Sequence, residues 1–136
     1  MTVVADASPL LVLAQTDLLY LLPMTLGEVF VPPAVWEEIT VRPEIAAKFS
    51  TYETPWLHVQ QVRETEEVRL LLEQLHSGEA EAIVLANEMR AAAVLIDERR
   101  GRMVAKSRGL EVIGTLGFLL QAKENGVLLQ VKPIVL

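Results

Sequence analysis

Hydrophobic positions in this chain fall into two alternating patterns, short apolar runs of three or four residues and longer stretches in which apolar residues recur three and four apart. The first pattern suits strands covered on both faces, and the second suits helices lying on a sheet. Val3 to Ala5 reads as a strand that stops at Asp6. Pro9 then suits the first turn of a helix to about Ala14 with Ser8 near its N-cap, and a second short helix from Asp17 to Leu22 is closed by Pro23. Glu28 to Val31 is a brief strand, after which Pro32 and Pro33 open a helix through Ile39. In it Val35 and Ile39 share a face with Glu38 beside them. Arg42 before Pro43 ends that helix.

Glu44 to Tyr52 is weakly helical, and Trp56 to Val62 alternates enough for an edge strand. Glu64 to Leu75 returns to helix, with Val68, Leu71, Leu72 and Leu75 forming a stripe. The stretch around which the chain is organised follows. Ser77 is placed to cap a helix that runs on from Ala80 to Ala93 without proline or glycine, feeding the buried run AVLI, which ends on Asp97. Gly101 to Ser107 forms a basic helix closed by Gly109, Leu110 to Ile113 another strand, and Gly114 with Thr115 leads into a last helix to about Asn125, with Gly126 as its C-cap. Strands alternating with helices predict a parallel sheet between helical layers.

At 136 residues and 51% hydrophobic, the chain reads as one domain able to bury its own core. There is no cysteine, so neither disulfides nor thiolate metal sites are available and a reducing compartment is permitted. No apolar run approaches the roughly 20 residues of a membrane span, and no basic region followed by an apolar stretch marks the N-terminus. A cytoplasmic protein without membrane contact is the expectation. Net charge is -6, which alone argues against nonspecific binding to phosphate backbones. The distribution changes that picture: of the twelve Lys and Arg, five (Arg99, Arg100, Arg102, Lys106 and Arg108) follow closely after Asp97.

Two predicted strands end on acids, Asp6 and Asp97, and two predicted helices carry acids near their starts, Glu38 and either Glu79 or Glu81. A parallel sheet brings the carboxyl ends of its strands to one edge, where these groups can meet. At a separation of ~5 Å and an effective dielectric of 20, each ionised pair would repel by roughly 3 kcal/mol. Such a cluster needs bound protons or a divalent cation. Oxygen ligands without cysteine, and with only His58 and His76 at scattered positions, select a hard ion such as Mg²⁺ or Mn²⁺. An ion of that kind suits attack of water on a phosphodiester.

Plainer readings stand beside these. Asp6 is equally placed to cap the first helix, Glu37 and Glu38 to form a solvated face, and Asp97 and Glu98 to pair with Arg99 and Arg100 at the surface. Glu79 and Glu81 are two apart and point to nearly opposite sides of a helix, so they cannot serve one ion equally. His58 and His76 read as structural or exposed.

The segments VVADASPLLVLA, VPPAVWEEI, SGEAEAIVLA and VLIDERRGRMVAKSRGLEVIGTLGFLLQAKENG, in this order and over nearly the whole chain, resemble the PIN-domain superfamily, in particular its VapC-like branch with GEAEA and GTLG signatures. The resemblance implies a three-layer α/β/α sandwich with a central parallel sheet and Mg²⁺- or Mn²⁺-dependent endoribonuclease chemistry. It further implies a toxin of a toxin-antitoxin pair, with a cognate antitoxin, an RNA substrate and a homodimer as partners. Asp6 then matches the first acid and Ser8 its supporting hydroxyl. Glu38 matches the second acid ahead of Glu37, Glu81 the third with Glu79 supporting, and Asp97 the fourth with Glu98 as the alternative. Arg99, Arg100, Arg102 and Lys106 would steady the RNA backbone. Two departures from the pattern are visible: the acid-to-acid spacing is slightly shorter than the common one, and relatives often continue past the segment resembling VKPIVL into a further helix. The early end would leave Ile134 and Leu136 needing another partner. A PIN-like module that binds RNA or protein without cutting is the alternative function. A phosphoacceptor domain using Asp6 is disfavoured, because Asp6-Ala7-Ser8 lacks the second aspartate that such phosphatases use.

Overall fold

A computed structural model describes residues 2–50 and 52–126 of the chain. Five strands form one sheet: β1 (Thr2–Ala5), β2 (Glu28–Val31), β3 (Leu57–Val59), β4 (Ala93–Leu95) and β5 (Val112–Ile113). Their order is β3-β2-β1-β4-β5 and every pairing is parallel. Val4 lies opposite Phe30 on one side and Val94 on the other. From β1 the chain therefore winds outward first in one direction and then in the other. The point of reversal lies between β1 and β4, where open α/β sheets leave a crevice at the carboxyl ends of the strands. The Asp6 amide donates to the Leu95 carbonyl at 2.9 Å and holds the two strand ends together at that place.

The helices are α1 (Ala7–Gln15), α2 (Leu21–Thr25), α3 (Pro33–Thr40), α4 (Pro43–Ala46), α5 (Thr65–Leu71), α6 (Ser77–Met89), α7 (Arg99–Ser107) and α8 (Thr115–Glu124). The arrangement is the expected three-layer α/β/α sandwich around a parallel sheet. The β1 to β3 connections carry α1 to α4, and the β3 to β5 connections carry α5 to α7. Helix α6 packs on β1, β4, α5 and α7, and it also meets α3. Ala80, Ala82, Ile83, Val84, Leu85 and Ala86 of α6 are all buried, so this helix is apolar nearly all round. Each of Ile83 and Leu85 contributes roughly 1.5–3 kcal/mol by leaving water. That anchoring fixes the polar residues at the start of α6 in place.

Several boundaries differ from the sequence expectation. The helix expected over Asp17 to Leu22 begins at Leu21 instead, with Pro23 inside its first turn, where a missing amide goes unnoticed. Helix α6 is capped by His76 rather than Ser77, and it stops at Met89 because Arg90 adopts a left-handed conformation with φ 50°. Basic helix α7 starts at Arg99, two residues early, because Glu98 caps it. The edge strand β3 covers only Leu57–Val59 of the expected Trp56 to Val62. The expectation of an unpartnered VKPIVL segment with Ile134 and Leu136 lies outside the described residues.

Candidate metal centre

Asp6 is the first residue after β1 and the N-cap of α1, and it is 5% exposed. Burial pushes its carboxyl up to about 7, against the pull of the Ala7 amide, and the nearby charges of Glu79, Glu38 and Asp97 add to the rise. Three other acidic side chains thus act on Asp6. They do so from different elements, and they are not equally placed.

Glu38, on the exposed side of α3, reaches across to the first turn of α6. A Cβ at position 78 would stand 3.1 Å from Glu38 Oε1, 3.4 Å from Asp6 Oδ1 and 3.6 Å from Val35. Glycine at 78 is therefore what allows the two carboxylates to converge over the N-terminus of α6. With Ser8, His76, Ser77, Glu79 and Glu98, they line a cleft of about 480 Å³. Glu79, 7% exposed, accepts the His76 amide on Oε1 at 3.2 Å, the reach-back half of a capping box. Its Oε2 lies 3.2 Å from where a Cβ of Gly101 would sit, so Gly101 leaves it room.

Glu98 accepts the Gly101 amide on Oε2 at 3.0 Å as the cap of α7, and it also exchanges a hydrogen bond with Glu79. Burial raises the Glu79 carboxyl, while the Gly101 amide lowers that of exposed Glu98.

Two expected ligands are engaged elsewhere. Glu81, on the other side of α6 from Glu79, accepts the Ala34 amide on Oε1 at 3.1 Å at the start of α3. Asp97 takes the Thr115 amide on Oδ1 at 2.6 Å and the Thr115 hydroxyl on Oδ2 at 2.5 Å, and so anchors α8. It remains near enough to act on Asp6 without lining the cleft. The structure thus brings together Asp6, Glu38, Glu79 and Glu98 with Ser8, and sets Glu81 apart. The sequence puts Glu79 behind Glu81 as the supporting acid, whereas His76, read there as structural or exposed, is exposed and caps α6. The spacing His76 to Glu79 is the signal that distinguishes them, since an acid three residues past a cap turns back toward it.

The basic stretch divides as well. Arg99, Arg100 and Lys106 are exposed, whereas half-buried Arg102 lies against Gly114. Arg108 is tied to Asn87 Oδ1 at 2.9 Å and to Glu67 Oε2 at 3.0 Å, which joins α7 to α6 and α5. His58, on β3, pairs with Glu28 at 2.5 Å, well away from these acids in sequence and on the far strand.

Among the described residues, no three His, Asp or Glu side chains stand close enough to enclose an ion by themselves. A donor set of two converging carboxylates over a glycine nevertheless fits a hard dication, because Mg²⁺ is commonly held by one or two carboxylates and completes its shell with water and substrate oxygens.

A parallel sheet reversing at β1, with a buried acid on its end and further acids brought in from helices, is an open α/β domain with its cleft at the switch point. The family described as DUF3368, PIN domain, matches residues 2–136, and the chain belongs to it. PIN domains are a nuclease-type superfamily whose members typically use divalent metals. Among solved structures, the chain is similar to a PilT N-terminus domain protein from the hyperthermophilic archaeon Sulfolobus solfataricus P2. The TM-score is 0.67 at 16% identity, covering 91% of this chain and 95% of that one, a likeness of fold. No curated protein matches the chain. No helix among the described residues is long and apolar enough to cross a membrane.

Proposed function

We propose that this protein is a metal-dependent endoribonuclease in which Asp6 and Glu38 hold Mg²⁺ or Mn²⁺, with Glu79 beside them. The observation that carries this reading is the convergence of the Asp6 and Glu38 carboxylates over Gly78 in an open, acid-lined cleft. When bound, a hard dication supplies Lewis acidity to a phosphoryl oxygen and makes water a stronger nucleophile at neutral pH. The chain's own residues do the rest. Asp6 retains a proton up to about pH 7 in the metal-free chain and releases it on loading. Glu79, its carboxyl raised by burial, and Glu98, its carboxyl lowered by the Gly101 amide, line the cleft wall beside Asp6. Arg99 and Arg100, exposed in the first turn of α7, offer cationic contacts to an approaching phosphate backbone.

An RNA substrate, a toxin role with a cognate antitoxin, a homodimer and a cytoplasmic setting complete the reading on the strength of the sequence resemblance. The direct test is cleavage of single-stranded RNA with added Mn²⁺. The parent chain should cut, Asp6→Asn should lose at least about a hundredfold in rate, and chelation should stop the parent. A non-catalytic RNA- or protein-binding module is the second reading, favoured by Glu81 and Asp97 already being engaged by Ala34 and Thr115. It predicts RNA binding of equal strength in parent and Asp6→Asn, with no product from either.

A further inference from the structure

Helix α3 begins with an unusual shortage of caps. Its N-cap is Pro32, which has no side-chain acceptor, and Pro33 has no amide. The amides of Val35 and Trp36 both donate to the Pro32 carbonyl at 3.1 Å. The Ala34 amide is the first-turn donor left over, and a buried or half-buried amide without a partner is costly. Glu81 supplies the acceptor from 47 residues away. Its negative charge also lies where the α3 dipole favours it.

The consequence reaches the cleft. Ala34 and Glu38 are four apart on α3 and share a face. Gly78 and Glu81 are three apart on α6 and share a face in turn. Glu81 grips Ala34, while Gly78 makes room for Glu38, so the two helices meet at two points that fix both the rotation and the axial position of α3. We infer that Glu81 is a positioning residue: by holding the Ala34 amide it keeps the Glu38 carboxylate over Asp6. This rests on the proposed role of Glu38 in metal binding.

The test compares the parent chain with Glu81→Gln, Glu81→Ala and Glu81→Asp, using Mn²⁺ calorimetry and amide hydrogen exchange at Ala34. Glu81→Gln retains an oxygen at the same reach. It should keep Ala34 protected and keep Mn²⁺ affinity within a few fold. Glu81→Ala should expose Ala34 to exchange and weaken Mn²⁺ by about tenfold, the usual effect of removing a group that orients a ligand, with stoichiometry unchanged. If Glu81→Ala does not fold, Glu81→Asp takes its place. It keeps the charge but falls short of Ala34, and should show the same losses.

A ligand role for Glu81 predicts that the Gln variant loses binding as fully as the Ala variant, and that result overturns the inference. Parent-like Mn²⁺ binding or parent-like Ala34 exchange in both Glu81→Ala and Glu81→Asp overturns it too. Failure of the metal reading looks different: the parent itself does not bind Mn²⁺, while Ala34 protection still falls in the Ala and Asp variants and survives in Gln, which sustains the grip on α3.

Discussion

The carboxylates of Asp6 and Glu38, one buried at a strand end and the other on an exposed helix face, approach the same point above Gly78, 3.4 Å and 3.1 Å from where a Cβ would be. Gly78→Ala therefore separates fold from site. Alanine in a helix is worth about 1 kcal/mol over glycine, which offsets the cost of moving the flexible end of Glu38. Thermal stability should stay within about 1 kcal/mol of the parent, and Mn²⁺ affinity should fall. Unchanged affinity would show that the convergence has no part in binding.

Asp6 also makes stability depend on pH. Its carboxyl is raised from 3.8 to about 7 in the folded chain, so the unfolded chain ionises first. Below the unfolded value both states hold the proton and nothing is lost. As pH climbs from about 4 to 7, stability is lost, and it levels off above 7. The full effect is on the order of 4 kcal/mol. In chelator, Asp6→Asn should match the parent near pH 4 and become increasingly more stable than it up to pH 7. Thermal unfolding across that range checks this, and a constant difference at every pH would refute it.

Asp97 sits beside the cleft while both its oxygens serve Thr115. Removing that cap with Asp97→Ala should cost about 1 kcal/mol, whereas Asp97→Asn, which keeps an acceptor for the Thr115 amide, should cost less. Mn²⁺ titration of Asp97→Asn should show weaker binding than the parent yet stronger than Asp6→Asn. Complete loss would make Asp97 a ligand in its own right.

The basic residues fall into two groups by what they touch. Arg108, held by Asn87 and Glu67, should on conversion to Ala reduce stability by roughly 1 kcal/mol and leave the salt dependence of RNA binding unaltered. Arg99→Ala and Arg100→Ala should do the reverse, each lowering the salt slope by about one unit if it neutralises a phosphate. Filter binding at several salt concentrations, beside thermal melts, separates the two groups.

Strand and helix order was legible in the chain because the apolar runs at Val3, Val29 and Val94 are short and bounded by polar or turn residues. The end of α6 was not, because alanines favour helix right through Ala93. It is pairing of Ala93 to Leu95 with Val3 to Ala5 and Glu111 to Ile113 that takes those residues out of the helix, leaving Arg90 to turn the chain. At the site, strand-end acids were legible as positions. Which glutamate of Glu79 and Glu81 enters the cleft is marked in the sequence only by the spacing of Glu79 from the cap at His76, because α6 is buried nearly all round and its apolar pattern picks out no single face. Helix ends, which attract carboxylates of their own, explain why acids at matching positions serve as caps at Glu81 and Asp97.

Calorimetric titration of Mn²⁺ into the parent chain, Asp6→Asn, Glu38→Gln and the neighbouring control Glu37→Gln tests the central claim most directly. The account predicts binding in the parent and in Glu37→Gln and its loss in both Asp6→Asn and Glu38→Gln, with all four chains folded. Binding that survives both losses, or none in the parent, would contradict a metal centre built on Asp6 and Glu38.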